Sequence, residues 1–127
     1  MAKFLFLFSS LLGLSGVMLG ASGKHLLKSS APTAVYEAFE TGVRYQFYHI
    51  VPLLFIGILL RIIPAGNSAE RILRYSGGFF SAGIVLFSLS LYIYAFSGIK
   101  FFAHLTPAGG SLLILAWILL AISILKL

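Results

Sequence analysis

Four long apolar runs, separated by short segments that carry most of the charge, limit what this chain can fold into. Hydrophobic residue types make up 60% of its 127 residues and charged residues only 9%, whereas a soluble domain carries about 25% charged residues. A membrane span needs about 20 apolar residues, so four spans use almost the whole chain. We therefore predict an all-α, integral membrane four-helix bundle that forms a single domain over residues 1–127, with spans at roughly 4–22, 43–61, 75–97 and 106–126.

The composition also bears on partners and cofactors. There is no cysteine, which excludes disulfides, thiolate metal sites and cysteine nucleophiles. The net charge of +6 is expected to come from lysine and arginine side chains that flank the spans and meet anionic lipid. We therefore predict a lipid bilayer environment, no nucleic-acid partner and no cofactor.

The first apolar run, Phe4–Ala21, is expected to be a retained helix, because it is slightly longer than the core of a signal peptide. Five small residues follow one another along it at spacings of four, three, four and three: Ser9, Gly13, Gly16, Gly20 and Gly23. Residues at these spacings share one face of a helix, and small residues on one face let two helices approach closely in a membrane. We predict a packing seam here, within the bundle rather than between copies.

The other runs indicate where helices begin. Residues 32–44 are predicted to form an amphipathic first part of the second helix, which lies at the membrane interface and continues into a span that contains Pro52. The third helix is expected to start on the membrane surface near Ser68. Thr106 followed by Pro107 is typical of an N-cap and a first helical position, so the fourth helix is predicted to begin there.

Four spans place both termini and the loop between the second and third spans on one side of the membrane. Five lysine and arginine residues fall on that side: Lys3, Arg61, Arg71, Arg74 and Lys126. Four fall on the opposite side: Lys24, Lys28, Arg44 and Lys100. The positive-inside rule therefore favours cytoplasmic termini.

The second helix carries a polar stripe at the start of its span. With successive residues 100° apart, one face holds Glu37, Glu40, Thr41, Arg44, Tyr45, Tyr48 and His49. A charged stripe that runs into a span is costly unless it faces protein or water, which makes it a functional-site hypothesis. The span count also predicts that His25, His49 and His104 lie on the same side of the membrane.

Other interpretations of these residues stay open. The charged residues also fit the solvated face of an interfacial helix, and His49 also fits a histidine that ties helices together by hydrogen bonds. His25 and His104 also fit contacts with lipid headgroups. If the stripe is functional, His25 and His49 could bind zinc, copper or haem. Alternatively, Arg44 with the tyrosines and His49 could bind an anionic lipid headgroup or a quinone carbonyl.

Four short stretches occur in an order and at spacings that are typical of a known family: GASGKHLLK (20–28), FETGVRYQFYH (39–49), FSLSLYIYAFSG (87–98) and LTPAGG (105–110). The chain resembles the domain of unknown function 423 (YgdD-like) family of small bacterial membrane proteins over nearly its whole length. The resemblance implies a four-span inner-membrane protein whose molecular activity is unassigned.

The resemblance also marks motif positions without giving them roles: His25, Glu40, Tyr45, Gln46, His49, Thr106, Pro107, Gly109 and Gly110. The sequence departs from the family pattern at Lys24, where alanine is usual, and at Pro52, in a run usually free of proline. His104 is not a motif position, which weakens a three-histidine metal site more than a pair formed by His25 and His49.

These observations predict a non-enzymatic protein that binds or stabilises a membrane protein partner or a lipid, since no nucleophile-elbow or protease signature is present. The candidate polar face comprises His25, Glu37, Glu40, Arg44, Tyr45, Gln46, His49 and His104. The alternatives are a ligand, metal, haem or quinone site that uses His25 and His49, and a subunit of an oligomeric transporter. A homo-oligomer also remains open.

Overall fold

The computed structural model describes residues 1–127, and the chain is helical almost throughout. Its elements are α1 (Ala2–Leu27), α2 (Thr33–Ile62), α3 (Ser68–Ile84), a π-helical segment (Val85–Leu89), α4 (Ser90–Ser97) and α5 (Lys100–Leu125). The π-helical segment joins α3 to α4, so these three pieces form one long third helix, Ser68–Ser97. There is no strand, and the predicted all-α class is confirmed.

All four long helices are long and apolar enough to cross a membrane. At 1.5 Å per residue, even a helix of 26 residues extends about 39 Å, which exceeds the roughly 30 Å of a bilayer's hydrocarbon core. Each predicted span lies inside an observed helix to within one residue. The prediction of four spanning helices is therefore confirmed.

Two helix limits differ from the predicted ones. The prediction that the fourth helix begins at Thr106 is wrong, because α5 begins at Lys100 and Pro107 lies inside it. Gly98 ends α4 in the left-handed conformation, with φ of 71°, so the chain reverses within two residues and α5 starts early. The second difference is the π-helical segment, which inserts a wider turn inside the predicted third span.

The third helix lies at the centre of the arrangement, packed between α2 and α5, while α1 packs on α2. One apolar core joins all four long helices, and its buried members are Leu5, Leu53, Ile56, Leu73, Phe80, Ile84, Leu113, Ala116 and Leu120. A smaller cluster lies nearer the α1–α2 loop and consists of Leu27, Phe39, Tyr92 and Ala95. The helices are thus layered around the third one.

The predicted small-residue seam of α1 lies against α2. A Cβ atom added at Gly16 would come 2.9 Å from Phe47 Cζ, and one added at Gly20 would come 3.7 Å from Val43. The same construction at Gly23 would overlap the ring of Phe39. Gly13 lies above Ile50, and Ser9 is buried with its hydroxyl donating to the Leu5 carbonyl oxygen at 2.7 Å. The seam therefore serves packing inside the bundle.

The closest backbone approach joins α5 to the π-helical segment. A Cβ atom at Gly109 would lie 2.5 Å from the backbone nitrogen of Phe87 and 2.8 Å from its Cα. Backbone cannot move aside as a side chain can, so only glycine fits here. Nearby, the hydroxyls of Ser90 and Thr106 are 2.9 Å apart and link the third helix to α5. The LTPAGG stretch thus fixes where α5 crosses the π-helical segment.

Hydroxyl groups also join neighbouring helices inside the bundle. Ser76 donates to the carbonyl oxygen of Ala116 at 2.8 Å, and Ser88 donates to that of Gly42 at 2.8 Å. Every buried side-chain nitrogen and oxygen has a hydrogen-bond partner. Since an unpaired polar group in hydrocarbon costs several kcal/mol, these bonds restrict the helices to one register.

We expect Gly109→Ala to destabilise the protein by roughly 1–3 kcal/mol, the usual cost of overpacking a tight contact. The matched control is Gly78→Ala, also within a helix, where an added Cβ would meet nothing within 4 Å. Thermal unfolding of both variants in detergent would measure the difference. An unchanged melting temperature for Gly109→Ala would contradict the close approach to the π-helical segment.

On the α1 seam we expect Gly23→Ala to lower the melting temperature, because the new Cβ would displace the buried ring of Phe39. Gly20→Ala, three residues earlier on the same face, is expected to keep or raise it, because its Cβ makes an ordinary contact and alanine favours the helix by about 1 kcal/mol. Equal melting temperatures for the two variants would show that α1 does not pack on α2 in this register.

Candidate functional site

The residues of the predicted polar face separate into different surroundings. Glu40 and Arg44 lie in a groove between α1 and α2, and Gln46 lies buried between three helices. Tyr45 and His49 line a cleft between α2 and α5. Glu37 is exposed. α2 is one continuous helix from Thr33 to Ile62. Because successive side chains point about 100° apart around a helix, residues that are close in sequence enter different surroundings.

The groove between α1 and α2, here called the cationic groove, has a volume of about 200 Å³. Its lining residues are Gly20, Lys24, Tyr36, Phe39, Glu40, Val43 and Arg44. Gly20 has no side chain, so this residue leaves the space of the groove unfilled. The Tyr36 hydroxyl donates to Glu40 Oε1 at 3.1 Å, which holds the carboxylate against α2.

The two cations of the cationic groove are not paired with a carboxylate. The single ion pair in the structure joins Arg74 to Glu70, at the opposite end of the bundle. Lys24 comes from α1 and Arg44 from α2, and both side chains are exposed. Two positive groups from different helices are therefore available to one anionic ligand.

Gln46 is buried in a hydrogen-bond network that joins three helices. Its Nε2 donates to the Leu12 carbonyl oxygen at 2.6 Å and to Ser15 Oγ at 2.9 Å, both on α1. The Tyr92 hydroxyl of α4 donates to Gln46 Oε1 at 2.7 Å. Both N–H donors of the amide and one of the two lone pairs on Oε1 are therefore used. The structure thus gives Gln46 a role in helix packing.

His49 is buried at mid-helix and is also hydrogen-bonded on both sides. Its Nδ1 lies 2.7 Å from the Tyr45 carbonyl oxygen, and the Trp117 indole Nε1–H donates to its Nε2 at 3.3 Å. A carbonyl can only accept, so this arrangement requires the neutral ring with the proton on Nδ1. These contacts agree with one interpretation from the sequence, in which His49 joins two helices by hydrogen bonds.

Around His49 lies an aromatic cleft between α2 and α5, with a volume of about 480 Å³. This α2–α5 cleft is lined by Tyr45, Tyr48, His49, Phe87, Gly110, Leu113, Ile114 and Trp117. The rings of Tyr45 and Phe87 stack with centroids 4.5 Å apart. Phe80 meets Trp117 edge to face at 5.1 Å and supports it from the core.

The structure does not bring His25 and His49 together. The contacts of Gly13 with Ile50 and of Gly16 with Phe47 set the antiparallel register, which places residue 14 of α1 level with His49. His25 is about 11 residues further along α1, or about 16 Å of helix rise. A metal ion holds its ligands at about 2 Å, so this pair cannot share one.

His49 therefore lies deeper than the sequence analysis placed it. His104 is in the second turn of α5, about 13 residues or roughly 20 Å of rise before the Trp117 that bonds His49. His25 and His104 are both exposed at the α1–α2 loop end of the bundle. No group of three histidine, aspartate or glutamate side chains in the structure could hold a metal ion.

Sequence reasoning did not place Lys24 or Trp117 in a candidate site. Lys24 entered as a charge flanking the first span and as a departure from the family pattern, and Trp117 falls inside the predicted fourth span, 106–126. A signal for Trp117 was present, because tryptophan is usually enriched at the membrane interfaces and this one lies well inside its apolar run. Nothing in the sequence indicated that it faces His49.

With the geometry established, comparison with known proteins gives the family. The family model described as "Protein of unknown function (DUF423)" matches residues 19–110. The chain belongs to this family. The predicted resemblance is thereby confirmed. No solved structure matches this DUF423 chain.

The DUF423 chain aligns with relatives over nearly their full length. It is 34% identical over 113 residues to the UPF0382 membrane protein YwdK of Bacillus subtilis, which covers 89% of each chain. It is 33% identical over 124 residues to the UPF0382 membrane protein SAB0533 of Staphylococcus aureus, covering 98% of this chain and 97% of the relative. It is 30% identical over 126 residues to the UPF0382 inner membrane protein YgdD of Escherichia coli, covering 99% and 92%.

These relatives and the four spanning helices agree on where the DUF423 chain resides. It is an integral membrane protein, and the Escherichia coli relative is named an inner membrane protein. The predicted membrane location is confirmed. Its lipid bilayer environment follows from the same observations.

We expect His49→Ala to change the emission of Trp117, which is the single tryptophan of the chain. Loss of Nε2 as an acceptor leaves the indole N–H unpaired, and the lost packing leaves a cavity, so the protein should be destabilised by about 2 kcal/mol or more. Tryptophan fluorescence and thermal unfolding in detergent measure both effects.

The matched control for that experiment is His25→Ala, which removes an exposed histidine at the end of α1. It is expected to leave the emission maximum and the melting temperature unchanged. An identical spectrum for His49→Ala and the wild type would contradict the contact between His49 and Trp117.

Proposed function

We propose that this protein binds the anionic headgroup of a membrane lipid in the cationic groove, without catalysing a reaction. The observation that carries the proposal is the convergence of Lys24 and Arg44, from two helices, on one groove in which neither is paired with a carboxylate. Cationic pockets between transmembrane helices are a recurring way to bind phosphate-bearing lipid headgroups.

The depth of the cationic groove supports a headgroup ligand. Arg44 lies five residues before His49, or about 8 Å of rise towards the α1–α2 loop, and Lys24 packs near the level of Phe39, about 15 Å from His49. Arg44 is at the start of the predicted span 43–61, and Lys24 lies nearer the α1–α2 loop. The cationic groove is therefore at the level of the headgroup boundary.

The apolar part of the same groove supports a lipid over a free anion. Phe39 and Val43 line the groove together with the cations. The neighbouring outer face of α1 exposes the apolar side chains of Leu14 and Val17. A phosphate held by the cations would leave its acyl chains free to lie along these residues.

Glu40 limits the affinity that we expect. Two cations and one carboxylate leave the cationic groove with a net charge of +1, and the carboxylate is within reach of the same ligand. Its hydrogen bond with Tyr36 holds it on the α2 side. The balance favours a headgroup with net negative charge over a zwitterionic one.

The side-chain contacts support a binding role instead of catalysis. Nucleophilic catalysis needs a nucleophile within hydrogen-bond reach of a base. Serine hydroxyls such as Ser76, Ser81 and Ser88 donate to backbone carbonyl oxygens, and no histidine is hydrogen-bonded to a serine. Both ring nitrogens of His49 have hydrogen-bond partners, the Tyr45 carbonyl oxygen and the Trp117 indole N–H.

Other predicted properties stay proposals. A membrane protein partner, a homo-oligomer and a transporter subunit are alternative proposals. Cytoplasmic termini remain the orientation that the charge distribution favours. In that orientation the cationic groove faces the outer leaflet of the membrane.

We expect Arg44→Gln to weaken binding of phosphatidylglycerol by roughly fivefold, because each cation near a membrane surface contributes about 1 kcal/mol to binding an anionic lipid. Glu40→Gln is expected to strengthen it by a similar factor, since it removes the opposing charge and keeps an acceptor for Tyr36. Native mass spectrometry of the purified chain with phosphatidylglycerol and with phosphatidylcholine measures both.

The matched control is Lys28→Gln, which removes an exposed cation at the same end of the bundle but outside the cationic groove. It should bind phosphatidylglycerol like the wild type. Equal losses in Arg44→Gln and Lys28→Gln would indicate attraction by overall charge, and no preference for phosphatidylglycerol over phosphatidylcholine would refute the proposal.

A further inference from the structure

The α2–α5 cleft has aromatic walls. The stacked pair Tyr45 and Phe87 forms one wall, and Trp117 contributes to the other. Gly110 has no side chain and so leaves space between these walls. A Cβ atom added there would lie 3.7 Å from the Phe87 ring, which is an ordinary contact distance. Aromatic walls favour a planar ring that can stack or meet them edge to face.

A second, apolar cavity of about 320 Å³ continues the cleft along α2 and α5. It shares Tyr48 and Trp117 with the aromatic part, and its other lining residues are Val51, Pro52, Phe55, Leu120 and Ile124. From Gly110 to Ile124 the two parts follow about 21 Å of α5. A ligand with a ring and a long apolar chain matches this sequence of surfaces.

The lining carries hydrogen-bonding groups but no charged side chain. The Tyr36 and Tyr92 hydroxyls donate to Glu40 and Gln46, whereas the hydroxyls of Tyr45 and Tyr48 donate to no group of the protein. Both lie in a helix segment that crosses the membrane, where lipid chains offer no acceptor. Their natural partner is an acceptor oxygen on an uncharged ligand.

We propose that the α2–α5 cleft binds a neutral lipid whose planar ring carries carbonyl oxygens, the chemistry of a membrane quinone. The ring lies between Tyr45, Phe87 and Trp117, its carbonyl oxygens accept from the hydroxyls of Tyr45 and Tyr48, and its chain follows the apolar extension past Phe55. The site binds the ring inside the predicted span 43–61, which contains Tyr45, Tyr48 and His49.

This site is independent of the proposed headgroup function. The cationic groove lies between α1 and α2 and contains two cations, whereas the α2–α5 cleft lies on another side of α2 and contains none. No residue lines both of them. Either proposal can therefore fail without the other.

The test uses Trp117, the single tryptophan of the chain, as the reporter. The purified full chain in phosphatidylcholine nanodiscs is titrated with decylubiquinone while the intensity and lifetime of tryptophan fluorescence are recorded. We expect saturable quenching with an unchanged lifetime of the remaining emission, which indicates a bound complex. Decylbenzene, which has a ring and a chain but no carbonyl, should not displace the quinone.

The double variant Tyr45→Phe with Tyr48→Phe keeps both rings and removes both donors. It should raise the apparent Kd roughly tenfold or more, as expected for two lost hydrogen bonds. The control is Tyr75→Phe, an exposed tyrosine outside the cleft, which should bind as the wild type does. Thermal unfolding of each variant checks that it is folded. Gly110→Val, whose side chain fills the cleft, is a second variant that should abolish binding.

Three results would overturn the proposal. Quenching that rises without saturation and shortens the lifetime equally in all variants would indicate collisions in the bilayer only. Displacement by decylbenzene as effective as by quinone would indicate an apolar groove that does not recognise carbonyl oxygens. Unchanged affinity in the double tyrosine variant would show that the hydroxyls of Tyr45 and Tyr48 do not donate to the ligand.

Discussion

The close approach of helix backbones at small residues is the interaction on which the rest of this structure depends. Lipid surrounds the helices with a medium as apolar as their own side chains, so packing and hydrogen bonds must hold them together. Gly109 lets α5 lie directly against the backbone of the π-helical segment, and the α1 glycines let that helix lie on α2. These contacts set the register, and the register decides which side chains of α2 meet which neighbours.

The consequence is clearest within two turns of α2. Arg44, Gln46 and His49 are close in sequence, yet they face a cationic groove, a buried network and an aromatic cleft respectively. Gln46 donates to Leu12 and Ser15 and accepts from Tyr92, which joins α1 to the third helix. The charged and aromatic sides of the same helix remain open to ligands. One helix therefore both assembles the bundle and presents two chemically different surfaces.

Much of the architecture could be predicted, because hydrophobic run length and small-residue spacing are local properties. The four spans and the face of α1 that carries Gly16 and Gly23 belong to this class. The start of α5 was predicted wrongly, since Thr106 and Pro107 imitate a helix N-terminus and the real start follows from the left-handed turn at Gly98. The π-helical segment had no sequence signal that set it apart from the α-helix on either side, although Gly109 of α5 packs directly on it.

The candidate sites could be predicted only in part from the sequence, for a related reason. By itself the sequence determined that the chain is a four-span membrane protein, that it belongs to the DUF423 family and that α2 carries its polar residues, since these follow from composition, run lengths and motifs. Only the tertiary structure decided that Lys24 joins Arg44, that Trp117 joins His49 and that His25 stays apart. The physical reason is that a helix fixes the directions of its own side chains, whereas the depth and partner of each one depend on how neighbouring helices slide and rotate against it.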